Sequence, residues 1–73
     1  MLKFTPTVDS YKDGAYYATF EIDNDVTVCL LNETEFGGTI CDITNDAIII
    51  DIDYPRKDYR SFSFEKIDYL DWF

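Results

Sequence analysis

Two short acidic runs, Asp23-Asn24-Asp25 and Asp51-Ile52-Asp53, are the residues of this 73-residue chain whose types and spacing could do chemistry. Carboxylates two apart on a strand share a face about 6.6 Å from one another, twice the ~3.3 Å rise per residue. Such a pair does not converge on one point, whereas a hard cation wants six or more oxygens. The first run also lacks the glycine and distal glutamate of a calcium loop. Acid–base hydrolysis needs one carboxyl desolvated in a cleft, and a small barrel filled by its own side chains has little room for one. Ser10, Ser61 and Ser63 have no histidine to activate them, because the chain has none. Gly37-Gly38 lacks the lysine and the following helix of a phosphate loop. Cys29 and Cys41 are too few for a disulfide framework. With a hairpin turning near Asn32, Cys29 falls roughly opposite Phe36 and Cys41 lies far along the ladder, which predicts two reduced thiols. The residues point away from catalysis, and no metal or cofactor is expected.

Charge is the stronger signal. Fifteen acidic residues face six basic ones, for a formal net charge of −9. This sign repels nucleic acid and anionic membranes and favours basic partners. A hydrophobic fraction of 47% argues against disorder, and six Phe, six Tyr and one Trp offer large areas to bury. Residues 1–73 are expected to form a single domain. There is no basic-then-apolar opening segment, and the longest apolar run, Ala47 to Ile50, is too short to cross a bilayer. A soluble, cytoplasmic protein is the expectation.

The elements that must position the carboxylates read as strands. Tyr16, Ala18, Phe20 and Ile22 alternate with Tyr17, Thr19, Glu21 and Asp23. Val26, Val28 and Leu30 give the next apolar face, and Asn32 to Thr34 a polar turn. Phe36 to Ile43 follows, with Gly37 and Gly38 where a strand must bend or bulge. Thr44, Asn45 and Asp46 mark a turn, and Ile48, Ile50 and Ile52 alternate with Ile49, Asp51 and Asp53. Pro55 makes Tyr54 to Asp58 a loop. Phe62 and Phe64 alternate with serines, and Ile67 to Trp72 reads as a closing strand. Residues 8–15 are expected to form a turn or one short helical turn. The sum is an all-β chain, a small five- or six-stranded barrel of SH3/Sm type.

Residues 26–50 resemble the first motif of the Sm-like proteins, a family of five-stranded SH3-type barrels. Val26-Thr27-Val28-Cys29-Leu30-Leu31-Asn32 matches the opening strand, and Gly38-Thr39-Ile40, Ile43 and Ile49-Ile50 follow without gaps. Residues 60–71 have the rhythm of the last two strands. The resemblance implies a ring-forming homo-oligomer that binds uridine- or adenine-rich RNA. The chain departs from the family where the family reads RNA. Glu33 replaces a turn glycine, Thr44 an acidic residue, Ile48 a base-contacting asparagine, and Ser63-Phe64-Glu65-Lys66 a basic or histidine-bearing turn.

Alternation sends Glu21, Asp23 and Asp25 outward from Phe20 and Ile22, and Asp51 and Asp53 outward from Ile50 and Ile52. Asp42, Asp68 and Asp71 extend the negative surface, while the cations gather mainly at Arg56, Lys57, Arg60 and Lys66. Tyr11, Tyr17, Tyr54, Tyr59 and Trp72 are expected at strand ends, loops or outward positions, where Tyr and Trp anchor protein contacts. These features predict a non-catalytic, acidic protein-binding module. Its partner would be a basic nucleic-acid-binding protein, inhibited by competition for its groove, with no direct binding of nucleic acid or membrane. Small acidic proteins of phages and mobile elements that block restriction or CRISPR effectors share this profile. The carriers would be Glu21, Asp23, Asp25, Asp51 and Asp53, with Tyr17 as anchor. The alternatives are a divergent Sm-like RNA binder in rings, or an acidic structural or assembly protein.

Overall fold

Period-two alternation dominates the chain, and strands follow from it. The computed structural model describes all 73 residues and holds seven strands: β1 (Thr7–Lys12), β2 (Ala15–Glu21), β3 (Asp25–Leu30), β4 (Glu35–Ile43), β5 (Ala47–Tyr54), β6 (Asp58–Ser63) and β7 (Ile67–Trp72). A single 3₁₀ turn, Phe64–Lys66, joins β6 to β7. β1 and β2 form a two-stranded sheet, and the other five are ordered β6-β5-β4-β3-β7, with every pair antiparallel. The all-β expectation holds. No ladder joins β6 to β7, so the larger sheet is not closed and keeps two outer edges.

The strand count exceeds the expected five or six because much of the segment 8–15, expected as a turn or short helical turn, lies in β1 (Thr7–Lys12) and pairs with β2. Asp13 (φ 54°) and Gly14 (φ 79°) form the two-residue connection. Positive φ at both central positions is the type I′ geometry whose twist matches paired strands. Phe64 also leaves the strand expected for it and opens the 3₁₀ turn. The second hairpin is offset by one residue from the expected register, with Cys29 opposite Glu35 and Val28 opposite Phe36. Both thiols are free, as expected.

The core gathers the inward residues of both sheets: Phe20, Val26, Val28, Ile40, Ile48, Ile50, Ile52, Phe62 and Leu70. The glycine pair lies where it was expected to bend the chain, since the β4–β5 register shifts between Gly37 and Gly38. A Cβ on Gly38 would stand 2.2 Å from the Asp51 carbonyl oxygen and 2.8 Å from Ile52 Cα. Only glycine lets the two backbones approach so closely. A second shift between Ile40 and Asp42 bends β4 again. No helix is long and apolar enough to cross a membrane.

Candidate functional site

The ladder, more than the sequence spacing, assembles the acidic face. Asp25 of β3 and Asp51 of β5 both stand opposite Thr39 of β4, and Asp51 stands opposite Tyr59 of β6. One cross-strand row therefore reads Asp25, Thr39, Asp51, Tyr59. Steps between strands are about 4.8 Å, which sets the two carboxylate positions about 10 Å apart. Thr39 Oγ1 donates to Asp25 Oδ1 at 2.8 Å and fixes that side chain in the row. Both aspartates and Tyr59 are exposed. Beside the row, the Phe73 ring fills the space a side chain on Gly37 would take, and Phe73 N–H donates to the Asp25 carbonyl at 3.3 Å.

The remaining acidic candidates are placed differently. Asp53 follows Asp51 on the same strand and is ion-paired with Lys57. That contact raises the lysine pKa, first through the hydrogen bond and then through the charge. Asp23 occupies the β2–β3 turn at φ 77°, with its N–H donating to the Ile40 carbonyl. Glu21 closes β2, opposite Thr7, in the smaller sheet. Its N–H donates to Asn24 Oδ1, which ties the turn together. The structure thus joins Asp25 and Asp51 in one row, with Asp53 adjoining, and seats Glu21 and Asp23 on the approach to β3.

Tyr17 is outward-facing and 40% exposed, and its hydroxyl donates to Asp71 Oδ1 at 2.6 Å. The hydrogen bond raises the phenol pKa, and the same bond, then the Trp72 N–H and Lys12, lower that of Asp71. Lys12 Nζ lies 3.9 Å from Asp71 and 4.8 Å from the Tyr69 ring centre. This cluster clamps the β1–β2 hairpin onto β7. Tyr69 itself faces Cys29 across the β3–β7 pair, and the sulfur, by hydrogen bond and charge, pushes its phenol up to about 12. Burial raises the Cys29 thiol pKa. Tyr11, Tyr54, Tyr59 and Trp72 are exposed as expected, Tyr59 at 65%.

Three contributors escaped sequence reasoning: Thr39, Tyr59 as the end of the row, and Phe73. Thr39 and Tyr59 become visible only through pairing register, which alternation within one strand does not contain. Phe73 lies beyond the last strand, and Gly37 opposite its ring was the available signal. No protein-family model, curated protein or solved structure matches the chain.

Proposed function

We propose that this chain is a non-catalytic acidic module that binds a basic, nucleic-acid-handling protein on its phosphate-binding surface and competes with the nucleic acid. The observation that carries this reading is the row Asp25-Thr39-Asp51, with Asp53 adjoining on β5 and Phe73 alongside. The ladder fixes the backbone spacing of these aspartates, and Thr39 holds the Asp25 carboxylate, so guanidinium and ammonium groups meet an array whose spacing is set before binding. The nearby aromatic ring supplies apolar contact area. Long-range attraction from a net charge of −9 adds to the rate of encounter. By this reading it belongs with the DNA-mimic inhibitors of the anti-CRISPR or antirestriction type.

The scaffold beneath the row is read as a five-stranded SH3/Sm-type barrel made by β3 to β7. Its support is the strand order, with the last strand returning beside the first, and the twice-bent β4. Glu33, at the family's turn-glycine position, has φ 70°, the left-handed conformation that glycine adopts at no cost. The position read as the base-contacting asparagine is Ile48, fully buried in the core. That burial favours a shared scaffold put to another use over an RNA-binding ring.

Capture on the immobilised chain from a bacterial lysate, with elution in a salt gradient, tests the reading. A basic nucleic-acid-binding protein that elutes with salt and is displaced by added duplex or RNA supports it. Undiminished affinity at ~1 M salt, where the screening length is about 3 Å, refutes mimicry. Recovery of RNA alone favours the Sm-like reading.

A further inference from the structure

The larger sheet has two outer edges, and they are protected unequally. Along β7, Ser10 Oγ donates to the Leu70 carbonyl at 2.9 Å and accepts from the Leu70 N–H at 2.8 Å. The Trp72 N–H donates to Asp71 Oδ1. At the other edge β6 has no neighbour, and Asp58 to Ser61 are exposed. β6 contains no proline or lysine, and its pairing with β5 runs without a bulge. Those are the usual devices that keep strand edges from joining. The local protections of β6 are two charges, Asp58 and Arg60, on the face of Phe62, and the Tyr59 N–H donating to Asp58 Oδ1 at 2.8 Å.

The ladder fixes which backbone groups face outward. Phe64 N–H donates to the Asp46 carbonyl, in register with the β5–β6 pairs. Hydrogen-bonded and non-hydrogen-bonded pairs alternate. The N–H and C=O groups of Asp58, Arg60 and Phe62 therefore turn toward β5, and those of Tyr59 and Ser61 turn away.

We propose that β6 is the interface of an isologous homodimer, with Tyr59 pairing antiparallel to Tyr59 of a second copy across a two-fold axis. Charge selects this register. It places Asp58 opposite Arg60 of the second copy, and Arg60 opposite the second copy's Asp58. Axes at residue 58 or 60 oppose like charges, which destabilises a cross-strand pair. An axis at residue 61 pairs Arg60 with Phe62 and leaves Asp58 without a cation. Within one chain neither Asp58 nor Arg60 has an ionic partner. The Arg60 guanidinium rests over the Phe36 and Phe62 rings, at 5.1 and 5.5 Å. On pairing, the Tyr59 N–H passes from the Asp58 carboxylate to the opposing Tyr59 carbonyl, and the carboxylate accepts from Arg60 instead.

The dimer does not rest on the proposed function, but it would extend the acidic face. The same register carries the row through the axis as Asp25, Thr39, Asp51, Tyr59 and then the mirrored four. Seven steps of about 4.8 Å make it about 34 Å long.

Light-scattering mass on the full chain, from ~10 µM to ~500 µM, tests the proposal. The expected mass rises toward twice the 8.6 kDa of one chain. Arg60→Asp and Asp58→Arg should each return the mass to that of one chain. An equimolar mixture of these two variants should recover the dimer, because each then faces its opposite charge. Ser61→Pro, which removes an outward N–H without touching the β5 ladder, should abolish the dimer with an unchanged circular dichroism spectrum. A single-chain mass at every concentration, a mass above two chains, or a dimer that survives Arg60→Asp overturns the proposal.

Discussion

Ser10 shows how a single hydroxyl can hold two sheets together. It is the buried polar side chain of the junction, 5% exposed, and it takes both the N–H and C=O of Leu70. Ser10→Ala removes donor and acceptor together and leaves two backbone groups without partners. A loss of about 1–3 kcal/mol is expected, read by urea unfolding. Asp71 works at the outer side of the same junction. Its pKa is lowered in the folded state, chiefly by the Tyr17 hydroxyl. A carboxyl held below its unfolded value adds stability above the ordinary Asp range of about 3.9, and that stability is lost as pH falls through the folded value. Asp71→Asn should therefore be less stable than wild type at neutral pH, and the difference should close as pH falls through the lowered folded value. A gap that stays constant with pH would place the effect of the substitution elsewhere.

At the scale of elements, bends and turns decide the fold as much as alternation does. Gly38 permits β4 to cross close over β5, so Gly38→Ala should destabilise by about 3 kcal/mol or more through backbone clash at Asp51 and Ile52. Gly37→Ala meets only the exposed Phe73 ring, which can swing aside, and should cost less. Glu33 holds a left-handed conformation in the β3–β4 turn. Glu33→Gly should raise thermal stability, by up to about 1 kcal/mol. Most of this architecture was legible in the sequence, because Ile48, Ile50 and Ile52 or Val26 and Val28 repeat every second residue and are buried accordingly. β1 was not, since Val8 and Ser10 make a short pattern with a polar inward residue, and Ser10 is buried only because Leu70 answers it. The Asp13-Gly14 pair was the missed signal, being a favoured type I′ dipeptide between strands. The acidic residues were legible as outward-facing. Their arrangement was not, because Asp25 and Asp51 meet across Thr39 by register and no local rule sets that register.

For the whole molecule, charge and edges set the behaviour. Of the six basic residues, Lys12 and Lys57 are spent on Asp71 and Asp53, and Arg60 lies over two aromatic rings. Asp25 and Asp51 are in no ion pair. A protein so charged should bind its partner through electrostatics, with an association rate that falls steeply as salt rises. The measurement that tests this most directly is a competition titration on the captured partner, loaded with a labelled nucleic acid and challenged with the chain. Wild type should displace the nucleic acid stoichiometrically, and the folded double variant Asp25→Lys/Asp51→Lys should need at least ~10-fold more protein. Equal displacement by wild type and variant, or a ternary complex in which the nucleic acid stays bound, would contradict the account.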